Sequence, residues 1–298
     1  IIDGNSSGVA VRMTNYIDQA LLKNFTIQNG SSEEGGGLYV LNSDPILKNL
    51  MIKNNASTWN GGGIFCNGAS PIIEDVTILS NSAVNVSGGI HFINGSDAKL
   101  TNVDIINNAA AADGGGINCY GSSPNIYKVT LVGNTSGNGG GIFCGDGSSP
   151  NVLNTVIADN YPQEIYFDES LTGDSISISF SVVKNGQSGI TTNNNGTVMW
   201  GLGNFDIDPM FTDTASADYS LQRISHLIDR GHPDSTDLDG TRADIGAYYF
   251  DQIDLPGRIN PRTFIESDSV TINWSTSSDA TVSSYKIYRS YGSGVLDS

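Results

Sequence analysis

Short runs of alternating apolar and polar residues recur at nearly constant spacing from the beginning of the chain to Asn185. Alternation with a period of two is typical of a β-strand that buries one face. The apolar positions of the first run in each repeat are therefore predicted to point inward. They are Leu38 and Val40, Ile64 and Cys66, Ile90 and Phe92, Ile117 and Cys119, and Ile142 and Cys144.

Each repeat contains two further runs of this kind, so that a unit of three short strands is predicted. Stacking such units buries continuous aliphatic columns, which is how a solenoid forms its core. The inward positions of the second run are Leu47, Ile73, Leu100, Ile126 and Val152. Those of the third run are Leu50 and Ile52, Val76 and Ile78, Val103 and Ile105, and Val129 and Leu131.

Three sequence markers share this repeat, and such a shared period is the signature of a repeat architecture. Glycine-rich triplets begin at positions 35, 61, 87, 114 and 139, and an asparagine and a proline recur in phase with them. The markers predict an all-β fold, a parallel β-helix with coils of about 26 residues. The recurring residues are Asn55, Asn81, Asn108, Asn134, Asn160 and Asn185, and Pro45, Pro71, Pro124 and Pro150.

The recurring asparagines are predicted to form a structural ladder. At a tight inward turn, each side-chain amide is able to bond backbone groups of the next coil, and so to satisfy polar atoms that would otherwise be buried without partners. The three cysteines, Cys66, Cys119 and Cys144, share one inward column. Free cysteine favours protein interiors, so these residues are predicted to be buried, reduced thiols.

The repeat weakens after Asn160, and Asn185 closes the last regular coil. Residues 1–250 are predicted to form the β-helix, with coils over 1–185 and a terminal cap over 186–250, because a solenoid must cover its last apolar layer. Residues 251–260 are predicted to be a linker, and 261–298 the start of another domain. The chain begins as if inside a repeat, so further sequence is expected at both ends.

The coils resemble the right-handed parallel β-helix repeats of the pectin-lyase-like superfamily, and their markers resemble the repeats of polymorphic outer-membrane proteins. Residues 203–248 resemble the closing segment of large secreted bacterial β-helix proteins. Residues 269–274 and 284–289 resemble two strands of a fibronectin type III domain, with Trp274 as its core tryptophan. The resemblance implies an extracellular or cell-surface location but no single activity, because β-helices include lyases, hydrolases, adhesins and scaffolds.

Acidic residues outnumber basic ones by 31 to 14, which gives a formal net charge of −17. This balance disfavours nucleic acid as a partner. No run approaches the roughly 20 apolar residues that a membrane span needs, so direct membrane insertion is not expected. A polyanion would need bridging Ca²⁺, which carboxylate oxygens bind well. The sequence indicates no required cofactor. If a cofactor is present, Ca²⁺ is the candidate.

The outward positions of the first run are rich in aromatic residues. Because stacked coils place equivalent residues one strand spacing apart, they are predicted to form an exposed strip about five coils long. Aromatic faces stack well on the apolar faces of sugar rings, although such a ladder also stabilises a sheet or packs under a loop or a second chain. The predicted ligand-binding face is Tyr39, Phe65, His91, Asn118, Tyr120 and Phe143.

Two residues of this strip, together with Asp113 in the preceding turn, suggest acid–base chemistry. His91, Tyr120 and Asp113 are the candidates for β-elimination in a uronic acid polymer. The β-helix lyases that the chain resembles use a lysine or arginine beside bound Ca²⁺, whereas this strip offers no basic residue beyond Arg12. A surface histidine without a catalytic role is therefore favoured at position 91.

A second group suggests a metal site. The acidic spacing between positions 234 and 244 resembles a Ca²⁺ loop but lacks the glutamate that closes an EF-hand. A solvated turn whose aspartates cap their own backbone is the alternative. The candidate ligands are Asp234, Asp237, Asp239 and Asp244.

Three functions fit these features. The leading hypothesis is an extracellular or cell-surface module that binds a polysaccharide or a cell-surface protein through the aromatic face, within a larger multidomain protein. The second is a lyase or hydrolase of the pectate-lyase-like type acting along that face. The third is a structural subunit of a surface layer or filament, formed by self-assembly of solenoids.

Overall fold

The computed structural model describes residues 1–15, 19–170 and 173–252, together with the backbone of four short strands between positions 262 and 297. The chain divides into two compact units, Ile1–Phe250 and Asp251–Ser298. In these described parts the secondary structure is β-strand with two short 3₁₀ turns and no α-helix. The predicted all-β class is therefore confirmed.

Sheet 1 contains the strands that follow the glycine triplets, and all its neighbours pair in parallel. Ile64 pairs with Ile90, and Ile90 pairs with Ile117, so equivalent positions of successive coils stack directly. With strands numbered in chain order, sheet 1 comprises β2 (Val11–Thr14), β5 (Leu38–Leu41), β8 (Ile64–Asn67), β11 (Ile90–Ile93), β14 (Ile117–Tyr120), β16 (Ile142–Gly145), β19 (Ile165–Phe167) and β22 (Ile190–Thr191).

Sheet 2 is the longest sheet and contains the second and third apolar runs of each repeat as one bent strand or two short ones. Its strands are β1 (Ile2–Asp3), β3 (Leu21–Gln28), β6 (Ile46–Lys53), β9 (Ile72–Leu79), β12 (Lys99–Ile106), β15 (Asn125–Val132), β17 (Asn151–Leu153), β18 (Val156–Ala158), β20 (Ser175–Ser179), β21 (Val182–Val183) and β23 (Thr197–Trp200). Sheet 3 follows the asparagine turn and comprises β4 (Ser31–Glu34), β7 (Ala56–Asn60), β10 (Ser82–Ala83) and β13 (Ala109–Ala110). The predicted parallel solenoid is therefore confirmed, with coils of about 26 residues.

The inward side chains of sheets 1 and 2 fill one continuous apolar core, as the alternation predicts. Cys66, Cys119 and Cys144 lie in it side by side with aliphatic residues, and all three are free thiols, so the prediction for the cysteines is confirmed. Burial raises the pKa of each thiol, because a thiolate is poorly solvated in an apolar interior. The thiols therefore stay protonated and contribute packing.

Five asparagines form a buried ladder at the turn between sheets 2 and 3. Within it, each Nδ2 donates to Oδ1 of the next asparagine, at distances of 2.9–3.0 Å. The same Oδ1 accepts the backbone N–H of the preceding asparagine, and Nδ2 also donates to a carbonyl of the preceding coil. One side chain thus satisfies four buried groups. The members are Asn55, Asn81, Asn108, Asn134 and Asn160.

The sixth predicted member, Asn185, lies outside this ladder. It is exposed, begins the 3₁₀ turn Gly186–Gly189 in a left-handed conformation (φ 65°), and donates its backbone N–H to Asp206 Oδ1. Glu164 takes the place that was predicted for it, because Glu164 Oε2 lies 2.7 Å from Asn160 Nδ2 and ends the chain of amides. The prediction for Asn185 is therefore wrong.

The carboxyl group at the end of the ladder predicts a pH-dependent stability. Burial raises the pKa of Glu164 to about 7 from its ordinary value of 4.5. A carboxyl whose pKa is raised by folding lowers stability as pH rises between those two values. We expect Glu164→Gln, which keeps an oxygen acceptor for Asn160, to stabilise the fold by about 1–3 kcal/mol at pH 8 and by almost nothing at pH 4.

Urea unfolding of both proteins at the two pH values measures this difference. A Glu164→Gln protein that is less stable than the original at pH 8 would show instead that the charged carboxylate holds the end of the ladder together.

The segment predicted as a terminal cap has a different position. Residues 190–200 still contribute strands to sheets 1 and 2, whereas residues 205–250, the C-terminal segment, pack against the outer face of sheet 2. The backbone N–H of Ala247 donates to Thr130 Oγ1 at 2.9 Å, and that of His232 donates to Asn154 Oδ1 at 2.7 Å. The segment contains the antiparallel pair β24 (Phe211–Asp213) and β25 (Asp218–Leu221), with the 3₁₀ turn Thr214–Ser216 between them.

This difference has an apolar cause. Outward positions near the ends of the long strands carry aliphatic residues that the C-terminal segment covers in a second core. That core contains Ile106, Val132, Val156, Ala158 and Val182 of sheet 2 with Tyr219, Leu221, Leu227 and Ile245 of the segment. The segment therefore covers the side of the solenoid, and its assignment as an end cap is corrected.

In the second unit, β26 (Arg262–Glu266) pairs antiparallel with β27 (Ser269–Asn273), and β28 (Arg289–Tyr291) with β29 (Val295–Asp297). Antiparallel strand pairs of this kind are consistent with the start of a sandwich. Most of the predicted linker (251–260) and Trp274 lie outside the described residues, so the fibronectin type III assignment stays a prediction.

Candidate functional site

The outward side chains of sheet 1 stack into a column along the axis of the solenoid. The ring centroids of Tyr39 and Phe65 are 5.4 Å apart, as are those of Phe65 and His91, with interplanar angles of 23° and 20°. Further along, Phe143 stacks on Tyr166 at 5.9 Å. The parallel register of sheet 1 produces this column, because it places equivalent residues of successive coils side by side.

The column is much less exposed than predicted. Phe65, His91, Asn118 and Phe143 are only 2%, 4%, 2% and 6% exposed, whereas Tyr120 is 42% exposed. The predicted exposed strip and surface histidine are therefore wrong. From His91 onward, the column lies in a groove whose sides are formed by residues at and beyond the ends of the strands of sheet 1. Phe65 is instead covered by Tyr39 and His91, which stack on its two faces.

The groove encloses about 550 Å³. One side carries residues that precede the glycine triplets, among them Asn85, Asp113 and Asn138, and Asn138 Nδ2 donates to Asp113 Oδ1 at 2.9 Å. The other side carries residues at or just beyond the ends of the strands, among them Tyr120, the last residue of β14, and Asp168. His91, Asn118, Phe143 and Tyr166 form the floor. The complete lining is Asn60, Asn85, Val86, His91, Ile93, Asp113, Asn118, Tyr120, Asn138, Phe143, Tyr166, Asp168 and Glu169.

Two buried polar side chains on the floor have hydrogen-bonding atoms without a partner in the protein. They are Nδ1 and Nε2 of His91 and Oδ1 of Asn118. Burial lowers the pKa of His91 to about 4, so its imidazole is neutral at pH 7 and presents one donor and one acceptor. A buried group left unpaired costs roughly 1–3 kcal/mol, so a ligand that satisfies these atoms gains that amount of stabilisation.

The three acid–base candidates, His91, Tyr120 and Asp113, all line this one groove. Burial raises the pKa of Asp113, although the hydrogen bond from Asn138 opposes the rise. Neither lysine nor arginine is among the described lining residues. The strong base and charge neutralisation that elimination from a uronate requires are thus not supplied by these residues, and a catalytic role for the trio stays a prediction.

The structure adds residues that the sequence prediction missed. Asn138, Tyr166, Asp168 and Glu169 line the groove, yet none of them belongs to the predicted ligand-binding face. Tyr166 had a signal in the sequence, because it is the middle residue of an alternating run and pairs in register with Phe143. Conversely, Tyr39 and Phe65 stack at the near end of the column and are absent from the groove lining.

The four candidate metal ligands do not form one group, although Asp237 and Asp244 are neighbours. Asp237 forms a buried ion pair with Lys128 and also accepts the backbone N–H of Asp244. Asp239 caps Thr241, and Asp244 accepts the backbone N–H groups of Asp229 and Phe250. Among the described residues, no three His, Cys, Asp or Glu side chains are arranged to hold a metal ion. The alternative of a solvated turn is only partly right, because Asp239 and Asp244 do accept backbone N–H groups, whereas Asp237 and Asp244 are buried.

Comparison with known proteins bears on the fold. Residues 7–199 match the family model described as the right handed beta helix region. Searches of curated proteins and of solved structures returned no significant match. Within the described parts of the chain, no helix has the length and apolar character needed to cross a membrane.

Proposed function

Since the chain belongs to the right-handed β-helix family, we propose that it is an extracellular or cell-surface module that binds carbohydrate in the groove over sheet 1. The family alone assigns no activity, because one fold hosts many functions and the site decides among them. The proposal therefore depends on the chemistry of the groove.

The observation that carries the proposal is the floor of the groove. Unpaired hydrogen-bonding atoms of His91 and Asn118 lie in the same groove as the rings of Phe143 and Tyr166. A sugar offers the matching surface, with hydroxyl groups that both donate and accept hydrogen bonds and with apolar ring faces that stack on aromatic rings. The repeat of one strand spacing per coil gives an extended floor, which suits a chain of sugars better than a single one.

The charge of the groove supports uncharged or amino sugars. Asp113, Asp168 and Glu169 line it, the imidazole of His91 is neutral, and the described lining contains no lysine or arginine. A polyuronate would place its carboxylates near these acids without a counter-charge, which costs free energy. This argument disfavours the uronic acid polymers that the pectate-lyase resemblance suggests.

Two variants test the proposal on a glycan array and by isothermal titration with the glycan that binds best. His91→Phe keeps a ring to stack on Phe65 and removes both nitrogens, and Asn118→Leu keeps the volume and removes the amide. We expect each to weaken binding about 10- to 100-fold, the effect of one or two lost buried hydrogen bonds. Asn125→Ala, an exposed residue on sheet 2, is the control and is expected to bind like the original protein.

Other results would point to the alternatives. Unsaturated products in the ultraviolet absorbance of a polysaccharide mixture would make the protein a lyase and replace the binding proposal. No binding to any glycan, or binding that both variants retain in full, would overturn it and leave the surface-layer or filament subunit ahead.

A further inference from the structure

A second cavity, of about 570 Å³, lies over the outer face of sheet 2. It is formed between strands β9, β12 and β15 of that sheet and the C-terminal segment at residues 236–238 and 247–249. Its volume is typical of small-molecule sites. None of its lining residues belongs to the groove, so the two sites are independent.

The chemical centre of this cavity is Asp104. Its side chain is 3% exposed and lines the cavity, and its Oδ1 has no hydrogen-bond partner within the protein. The hydroxyl groups of Tyr248 and Thr77 lie near the carboxyl group and partly offset the rise in its pKa. Neither hydroxyl provides a hydrogen bond to Oδ1, which stays a buried oxygen without a donor. An unpaired buried carboxylate oxygen requires a donor from outside the chain to become satisfied.

The charges around Asp104 show which donor fits. The one cation among the described lining residues, Lys128, is already paired with Asp237 in a buried ion pair. Asp75 adds a second carboxylate at the edge of the cavity, where it accepts a hydrogen bond from Asn102. Asp104 is thus a buried acid without its own counter-ion. Burial accordingly raises its pKa to about 7, because the ionised form is poorly solvated there.

The remaining lining is aromatic. Tyr127, Tyr248 and Tyr249 all line the cavity, and together with Ala247 and Leu238 they give it apolar surface. Aromatic rings favour a nearby cation through their negative faces, and they also pack against an alkyl chain. The combination of one buried acid with several rings is therefore suited to an alkyl ammonium group and poorly suited to an anion.

We propose that this cavity binds a small aliphatic amine, with its ammonium group paired to Oδ1 of Asp104. An ammonium group has three donors and no acceptor, so it satisfies the unpaired oxygen without leaving an acceptor of its own unpaired. A divalent metal fits less well, because Asp237 is held by Lys128 and the described residues offer no group of three metal-binding side chains. The alkyl chain of the amine would lie against the tyrosine rings.

The test is isothermal titration of the protein with cadaverine at pH 6, 7 and 8. The amine stays protonated over this range, whereas Asp104 ionises, so the affinity is expected to rise about tenfold from pH 6 to pH 8 and then level off. Binding is expected to release a proton below pH 7. The other titratable or charged groups around Asp104 are Asp75 from β9, Tyr127 and Lys128 from β15, and Tyr219, Asp237, Tyr248 and Tyr249 from the C-terminal segment.

Asp104→Asn is the decisive variant. It keeps the shape of the side chain and removes its charge, and we expect at least a tenfold loss of cadaverine affinity together with loss of the pH dependence. Asp113→Asn, which removes a carboxylate from the sheet 1 groove, is the matched control and is expected to bind cadaverine normally. Retained glycan binding by Asp104→Asn is expected to show that the variant is folded, and its thermal unfolding provides a second check.

Two results would overturn the proposal. One is equal affinity for cadaverine and for 1-pentanol, a neutral probe of similar length, which would mean that the ammonium group is not recognised. The other is cadaverine binding that Asp104→Asn leaves unchanged at all three pH values. Because neither depends on the groove, failure of this proposal is distinguishable from failure of the carbohydrate proposal.

Discussion

Replacing Asn108 with alanine is expected to lower the free energy of unfolding by about 4 kcal/mol. Asn108 Oδ1 accepts hydrogen bonds from the backbone N–H and the side-chain Nδ2 of Asn81, at 2.9 and 3.0 Å. Asn108 Nδ2 donates to the carbonyl of Ile78 and to Asn134 Oδ1. The substitution removes four buried hydrogen bonds, although Asn81 Nδ2 keeps the carbonyl of Ile52 and Asn134 Oδ1 keeps the backbone N–H of residue 108. Each lost bond contributes roughly 1 kcal/mol net, which gives the expected loss.

The measurement is equilibrium unfolding in urea, followed by far-ultraviolet circular dichroism. Asn125→Ala serves as the matched control, because Asn125 lies in an exposed position of β15 and its substitution is expected to change stability by less than about 0.5 kcal/mol. Similar unfolding midpoints for the two variants would contradict the prediction. They would mean that the groups beside Asn108 find other hydrogen-bond partners, and that the asparagines form the turn without stabilising the fold further.

This ladder also shows how far the sequence specifies the fold. The spacing of the asparagines was sufficient to predict that each amide bonds to the neighbouring coil, because one period equals one strand spacing in a parallel solenoid. The bonds between the amides themselves are seen only in the structure. Spacing alone was not sufficient at the end of the ladder. Asn185 keeps the period, but Glu164 reaches Asn160 from only four residues away and supplies the last acceptor. The periodicity of the sequence does not show which of several side chains occupies the position next to Asn160 in the folded protein.

The groove was only half predictable for a similar reason. Alternation showed which side chains of sheet 1 point outward, and the structure places His91 and Asn118 on that face. Alternation does not show what stands beside a face. The residues before the glycine triplets form one side of the groove and bury His91, and this follows from the path of the backbone rather than from a local pattern.

The C-terminal segment was the least predictable part. The bond from Ala247 to Thr130 joins residues that are 117 positions apart, and Lys128 pairs with Asp237 across 109 positions. Apolar residues on the outer face of sheet 2 are compatible with cover by this segment, by another domain or by a second chain. Local propensity distinguishes none of these, because the deciding term is tertiary packing.

Replacing Gly62 with alanine is expected to destabilise the solenoid strongly, because the added methyl group would overlap the backbone of the next coil. A Cβ built on Gly62 would lie 2.2 Å from the carbonyl oxygen of Ser82 and 2.8 Å from that of Gly88. Both are backbone atoms of the next coil, so no side-chain rotation relieves the overlap. The coils must separate where Gly62 and Gly63 donate to the carbonyls of the next coil. We expect a loss of about 3 kcal/mol or more.

Gly95→Ala separates this packing effect from backbone strain. Gly95 has φ +73°, which disfavours a side chain, but a Cβ there would have no neighbour within 4 Å. Its substitution is expected to cost about 1–2 kcal/mol from the left-handed conformation alone. Gly62 does not have a positive φ, so any loss of stability in Gly62→Ala reflects contact between coils. Urea unfolding of both variants measures the two costs. If Gly62→Ala were no more destabilising than Gly95→Ala, the coils would be able to move apart at little cost in free energy. The glycine triplets would then recur because the turn requires them, and not because neighbouring coils approach closely.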